Sequence, residues 1–255
     1  MNIISLQSGS KGNCIYVETD EVRLLFDAGI SGKRAEARLA EHGRDIRQVD
    51  RVIISHEHTD HIRSLGIFHR KFGLSSCLTQ KTFAAADRQQ LGRLDGVSHF
   101  VSGEEIAFGS TRVYTYATHH DAVDGSVFVV DDGRHRFGLF TDLGTVFTPL
   151  AELLPTLDAV LLESNYDPMM LKDGPYPPYL KRRIAGPHGH ISNEEAARLL
   201  LSSDARRLQW CCLGHLSENN NCPLVALETH RKILGKTFPL HIATQQGATP
   251  LLEVA

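Results

Sequence analysis

Residues 51–62 read RVIISHEHTDHI, an uninterrupted apolar run followed within six positions by His56, His58, Asp60 and His61. A short run of β-branched residues with no polar alternation is the kind of strand that is buried on both faces. The loop that leaves such a strand can turn several side chains toward one point. Imidazole nitrogens and carboxylate oxygens bind a divalent transition metal at roughly 2.0–2.2 Å. An H-x-H-x-D-H loop can therefore give His56 and His58 to one ion and, after the turn, Asp60 and His61 to a second. Two ions about 3.5–4 Å apart would clamp the attacking and leaving oxygens of a displacement. A solvated histidine-rich loop is the plainer alternative, and the buried strand directly ahead argues against it.

The rest of the chain alternates short β runs with amphipathic helices, an α/β pattern. Residues 2–7, 13–18 and 22–27 read as an antiparallel meander, followed by a helix over 31–42. Helices are predicted over 62–72, 81–90, 145–154 and 223–234, and strands over 111–117, 126–131, 136–141, 158–162, 207–213 and 239–244. No repeat, low-complexity segment or linker divides the 255 residues, so a single domain spanning 1–255 is expected. Proline, glycine and basic residues gather over 167–189, which reads as an insertion or lid.

Composition narrows the partners. The net charge is −3, so no global basic field marks a nucleic-acid binder, although a local patch can do the same work. The amino-terminal stretch lacks the features of a signal peptide, and no apolar run is long enough to cross a bilayer; a cytoplasmic protein with no membrane partner is expected. Five cysteines without a C-x-x-C pair indicate neither a disulfide framework nor a thiolate zinc knot. Histidine, at 14 residues, is the unusual component.

Three further stretches place possible ligands after apolar runs: THHDA (118–122), FTDLG (140–144) and LGHLS (213–217). Together with HEHTDH, these resemble, in order, the signatures of the metallo-β-lactamase fold, a four-layer αββα sandwich with its site at one edge of the two sheets. SGSKGN, DAG (27–29), ESNYD (163–167), GHISNEEAA (189–197) and HLSENNN (215–221) narrow the resemblance to the YycJ/WalJ (VicX) family of cytoplasmic hydrolases, associated with 5′-to-3′ exonuclease action on single-stranded DNA. The resemblance implies that His56, His58 and His120 hold the first metal, that Asp60, His61 and His215 hold the second, and that Asp142 bridges them. The residues alone do not decide between His119 and His120; the family's His-Asp-Ala pattern selects His120, and strand alternation would then turn His119 elsewhere.

Other residues carry two readings each. SGSKGN lacks the phosphate-loop pattern and reads as a tight turn. Asp27 could orient a ligand histidine from behind or simply form a turn, and Glu163 could support the cluster or cap a loop. Ser192 with Glu195 is a capping box that starts a helix, and His190 sits just ahead of it. Helix amino termini favour anions, so Ser192 and Asn193 are candidate phosphate contacts. His190 is a candidate phosphate contact or proton donor, with a glycine-rich loop bearing an incidental histidine as the alternative. Lys181, Arg182 and Arg183, with Arg198, Arg206 and Arg207 further on, form a local basic cluster. With Tyr166, Tyr176 and Tyr179 nearby, it suits a single strand, cations for phosphates and rings for bases; a solvated face is the alternative.

The expected chemistry follows from charge. Two divalent ions, zinc or manganese, make hydroxide available near neutral pH. Asp60 would orient it for attack on phosphorus, and His190 would protonate the departing oxygen. Single-stranded DNA is the expected partner, with RNA open. A small-molecule phosphodiesterase, a thioester hydrolase and a non-catalytic regulatory protein are the rivals. The diiron pattern of such chains puts glutamate where this one has His58, and none of the seven ligands is missing, which argues against a redox scaffold or a vestigial site.

Overall fold

The computed structural model describes residues 1–255, the side chain of Arg88 excepted. In chain order, the strands begin with β1 (Asn2–Gln7), β2 (Cys14–Glu18), β3 (Arg23–Phe26), β4 (Arg51–Ile53), β5 (Ser76–Thr79) and β6 (Val97–Phe100). There follow β7 (Glu105–Phe108), β8 (Thr111–Ala117), β9 (Ser126–Asp131), β10 (Arg136–Phe140), β11 (Ala159–Glu163), β12 (Trp210–Gly214), β13 (Leu240–Ile242) and β14 (Leu252–Glu253). One sheet has the order β14-β1-β2-β3-β4-β5-β6, the other β13-β12-β11-β10-β9-β8-β7. Each is a hybrid. The pairs β1–β2 and β2–β3 are antiparallel, whereas β3–β4, β4–β5 and β5–β6 are parallel. In the second sheet β7 to β10 run antiparallel and β10 to β13 parallel.

Parallel neighbours need a crossover, and here the crossovers are helices. Gly32–Ala40 links β3 to β4, Leu65–Phe72 lies between β4 and β5, Asn193–Ser202 precedes β12 and Pro223–Leu234 follows it. Strand alternation then sorts the core into three layers. Ile15, Val17, Phe26 and Ile53 meet Phe128, Val130, Phe137 and Leu161 between the sheets, with the Phe26 and Phe128 rings 5.1 Å apart. Leu25, Val52 and Ile54 face outward onto Ala35, Leu39 and Phe68. Val160, Leu162 and Leu213 face outward onto Leu150, Leu199 and Ala226. Each fully buried Leu or Phe contributes about 1.5–3 kcal/mol. The result is the four-layer αββα sandwich. No helix among the described residues is long and apolar enough to cross a membrane.

Several boundaries differ from the sequence expectation. The apolar run RVIIS at 51–55 is regular strand only over Arg51–Ile53; Ile54 and Ser55 still bond to Cys77 and Ser126, and the histidine loop begins beyond them. The helix read over 62–72 is two, Thr59–Ile62 and Leu65–Phe72, and that over 81–90 is also two, Gln80–Ala85 and Arg88–Leu91. Strands β5, β6, β7 and β14 carry too few alternating apolar residues to stand out. The stretch 167–189 contains two short helices, Pro168–Asp173 and Pro178–Ile184. Both start on a proline, which suits a first helical position where its missing N–H has no helical partner to lose. Asp167 caps the first, accepting from the Met169 and Met170 amides.

Candidate metal centre

Side chains from the carboxyl ends of several strands meet at one edge of the sandwich. The loop after β4 and the helix Thr59–Ile62 bring His56, His58, Asp60 and His61; His120 follows β8, Asp142 follows β10 and His215 follows β12. Their donor atoms form overlapping groups, each within 4.8 Å: His56–His58–His120, Asp60–His61–His215, His56–His61–Asp142 and Asp142–Glu163–His190–His215. Asp142 and His215 adopt left-handed backbone, φ 57° and 54°, as does Asp27 at 66°. Such conformations cost of order 1–3 kcal/mol each and persist where the surroundings enforce them. Gly29 is equally constrained: a Cβ there would lie 1.6 Å from the Asp60 carbonyl oxygen. The absence of a side chain lets the DAG turn press against the HTDH loop.

Partners behind the cluster select which nitrogen of each ring faces inward. Asp27 Oδ2 lies 2.7 Å from His61 Nδ1, and Ser55 Oγ lies 2.9 Å from His56 Nδ1. Ser55 also donates its amide to Asp27 Oδ1 at 2.8 Å, which ties the two supports together. His120 Nδ1 donates to the Gly189 carbonyl at 2.8 Å, and His215 Nδ1 donates to Glu163 Oε1 at 3.0 Å. These contacts leave the Nε2 atoms of His56, His61, His120 and His215 for the centre. His58 presents Nδ1, 3.3 Å from His120 Nε2. Asp142 spans the gap, with Oδ2 3.2 Å from His61 Nε2 and Oδ1 3.6 Å from His120 Nε2.

The residues fit divalent metal. His56 Nε2, Asp142 Oδ2 and His215 Nε2 are buried and have no hydrogen-bond partner. A buried polar atom without a partner is costly, and a neutral imidazole or a carboxylate oxygen so placed is a metal donor. Electrostatics divide the cluster. Burial, with the surrounding imidazoles of His61, His58 and His120, holds His56 well below its ordinary pKa. Burial also lowers His120. For His215, burial acts downward, but Asp142, Asp60 and Glu163 outweigh it and raise the pKa to about 10. Burial is likewise overcome at His61, which Asp27, Asp142 and Asp60 hold well above its usual range. Asp60 and Glu163 resist the upward pull of burial through neighbouring histidines and stay well below the carboxylate range.

A cleft of about 220 Å³ opens over the cluster, and Ser10, Asn165, Tyr176, Arg183, His190 and Ser217 are among its walls. His190 Nδ1 donates to Glu163 Oε1 at 2.9 Å. Of the basic residues singled out from sequence, only Arg183 lines this cleft. Its Nε donates to Asp121 Oδ2 at 2.6 Å, and Asp121 Oδ1 lies 3.3 Å from His120 Nε2. Lys181 and Arg182 belong to the same helix, Pro178–Ile184, but are not among the cleft residues; Lys181 Nζ donates to the Lys172 carbonyl. Ser192 and Asn193 are also not brought to the cleft. Ser192 is buried as a helix cap bonded to Glu195, and Asn193 is buried against Ser164 and Asn221. The capping box uses the polar groups that a phosphate would need. Arg198 reaches toward Glu194, Arg206 pairs with Asp204, and Arg207 with Asp158. Asp158 precedes β11 whereas Glu163 ends it, which puts Arg207 at the opposite end of the sheet from the cluster.

Tyr176 lines the cleft, its hydroxyl accepting from Asn219 Nδ2, while Tyr166 is buried and Tyr179 is exposed. His119 is exposed and packs on the Phe147 ring with centroids 4.9 Å apart, so it points away from the cluster. The alternation argument does not apply, since β8 ends at Ala117 and both histidines lie in a loop. Sequence reasoning passed over Asn13, whose Nδ2 lies 3.0 Å from His61 Nε2, and over Ser55, Asp121 and Asn165. Asn13 and Asn165 sat inside the quoted SGSKGN and ESNYD stretches, the one available signal.

The comparisons with known proteins agree with this architecture. Residues 8–202 match the family model of the Metallo-beta-lactamase superfamily. The chain is 35% identical to Exodeoxyribonuclease WalJ of Streptococcus pneumoniae, over 98% of this chain and 96% of that one. It is 34% identical to Exodeoxyribonuclease YycJ of Bacillus anthracis, over 92% of each. Among solved structures, the metallo-beta-lactamase fold protein YhfI of Bacillus subtilis superposes with a TM-score of 0.73 at 15% identity, covering 97% of this chain and 98% of that one. The chain belongs to the metallo-beta-lactamase superfamily and, within it, to the family of the WalJ and YycJ proteins.

Proposed function

We propose that the protein is a dinuclear metal-dependent exodeoxyribonuclease that shortens single-stranded DNA from its 5′ end. The observation that carries this reading is the pair of donor triads joined by Asp142 beneath a cleft bearing Arg183 and Tyr176, in a chain whose relatives are named exodeoxyribonucleases. His56, His58 and His120 would hold one ion and Asp60, His61 and His215 the other, with Asp142 between them. The mixed imidazole and carboxylate set suits zinc or manganese. When bound, the ions supply electrophilic activation of water and of the phosphodiester.

The side chains do the rest. Asp60, held ionised, accepts a hydrogen bond from the attacking water and fixes its direction. Glu163 orients both His215 and His190 through their Nδ1 atoms, which leaves His190 Nε2 to deliver a proton to the departing sugar oxygen. Arg183 meets a backbone phosphate, and the Tyr176 ring offers a stacking face to a base. Glycine at position 29 keeps Asp60 in place.

The test is incubation of the purified protein with 5′-phosphorylated single-stranded DNA and added manganese or zinc, beside Asp60→Ala. Progressive shortening from the 5′ end, lost in Asp60→Ala, is the expected result. Shortening only from the 3′ end, or cleavage of RNA and not DNA in a parallel reaction, would overturn the stated polarity or substrate. Metal content measured by mass spectrometry identifies the ion.

A further inference from the structure

A second pocket lies beside the cleft, lined by Gln7, Lys11, Arg34, Arg38, Gln245 and Gln246, with Glu218 at its rim; its volume is about 440 Å³. Ser10 and Ser217 line the metal cleft, and the next residue of each loop, Lys11 and Glu218, lines this pocket. The two hollows therefore share a wall one residue thick. Consecutive Cα atoms are 3.8 Å apart, so the pocket lies within a few ångströms of the cleft along these two loops.

The charge here is not balanced. Glu218, the carboxylate lining the pocket, is taken by Lys11 at 2.6 Å. Arg38 is buried, and its guanidinium meets only neutral acceptors: the carbonyls of Leu6, Gln245 and Gln246 and the side-chain oxygen of Gln7. Arg34 Nη1 donates to the same Gln7 oxygen at 3.1 Å. Neither arginine has a carboxylate in ion-pair contact among the described residues; Glu41, at the end of the same helix, acts on Arg38 only at longer range. They stand four apart on one helix, where like charges destabilise each other, and a buried charge without a counterion is costly. Gln7 adds a further unmatched donor, since its Nε2 is buried and has no partner. Donors and positive charge thus exceed acceptors on the wall of this pocket.

We propose that Arg34 and Arg38, with Gln7 and Lys11, form a phosphate-binding subsite that holds the backbone of the nucleic-acid strand beside the metal centre. This rests on the nuclease reading above. A backbone phosphate supplies the missing acceptors and the missing negative charge, and guanidinium groups suit its oxygens. Its place next to the cleft makes it a positioning device: it holds the strand in register and touches no reacting atom.

The test uses the metal-loaded protein and Arg34→Glu, a reversal at an exposed side chain, with Arg206→Glu at the far end of the molecule as the control for net charge. KM for a 5′-phosphorylated oligonucleotide is expected to rise about tenfold or more in Arg34→Glu with kcat retained. The slope of log affinity against log salt is expected to fall by about 1. Arg206→Glu should change neither. KM for bis(4-nitrophenyl) phosphate, too small to reach the pocket, is expected to rise far less than that for the oligonucleotide. An oligonucleotide KM equal to wild type, or one matched by the far-end control, overturns the subsite. Competition by a nucleoside monophosphate separates free phosphorylated ligands from strand phosphates as the natural occupant. If the wild type cleaves no oligonucleotide, the nuclease reading fails. Inorganic phosphate titrated into wild type and Arg34→Glu then decides the subsite alone: weaker binding in the variant supports it, and equal binding overturns it.

Discussion

The rings of His56 and His61 lie 4.0 Å apart by centroid, yet their surroundings act on them in opposite directions. His56 is buried among other imidazoles, and burial with their charge pushes its pKa well down, toward the neutral form. His61 is equally buried but ringed by Asp27, Asp142 and Asp60, which hold its pKa well above the usual range. His215 shares that second environment. On the two-ion reading proposed above, one half would take its ion with no proton to lose, and the other would exchange protons for it. Residue type is the same in both; the carboxylates behind each ring make the difference.

The largest disruption should come at the residue that belongs to both halves. Asp142→Ala is expected to lower kcat on the order of a thousandfold or more and to reduce metal content below two ions per chain. Two ions retained at full affinity would break the view that Asp142 joins the halves. Asp27→Asn acts on the second half directly, through His61, and on the first only at one remove, through Ser55. It should weaken one of two metal-binding steps by about 10–100-fold and leave the other in place in a calorimetric titration; equal weakening of both would remove the distinction.

Smaller effects follow from protons. In metal-free protein the raised His215 contributes stability that is fully present below its ordinary pKa of 6.5 and lost as pH rises through about 10. The lowered Asp60 and Glu163 contribute stability present above their ordinary values near 4 and lost as pH falls further. The melting temperature of chelated protein should therefore drop by roughly several degrees between pH 7 and pH 10. Metal-loaded protein should show less of this loss, because the ions replace the protons. Smallest of all, His119→Ala should change activity by less than about twofold, whereas His120→Ala should remove one metal site. That contrast separates two adjacent histidines that are identical in type.

Much of the centre was legible in the chain. HEHTDH, THHDA, FTDLG and LGHLS each lie at the end of an apolar run, and strand ends are where a sandwich of this kind brings side chains together. The substrate side was read less well. Ser192 and Asn193 looked like phosphate contacts because a helix begins there, but the cap takes up Ser192, and Ser164 and Asn221 take up Asn193. Arg206 and Arg207 looked like part of one basic patch with Lys181, Arg182 and Arg183, yet the helix Asn193–Ser202 carries the chain to the other end of the sheet before they are reached. Arg34 and Arg38 stood out in no motif, since their pocket forms only when residues 7, 11, 218 and 245 arrive from distant parts of the chain.

By itself, the sequence determined the alternation of strands and helices and the short-range motifs that put donor atoms at strand ends, because strand period, turn chemistry and metal-donor spacing are local properties. Tertiary structure alone decided which nitrogen of each ring faces inward, which histidines are pushed toward the charged form and which away from it, and which basic residues meet the cleft. Those depend on burial and on carboxylates tens to hundreds of residues away in the chain, such as Asp27 behind His61 and Glu163 behind His215. Only the packed sheets bring them within hydrogen-bonding distance.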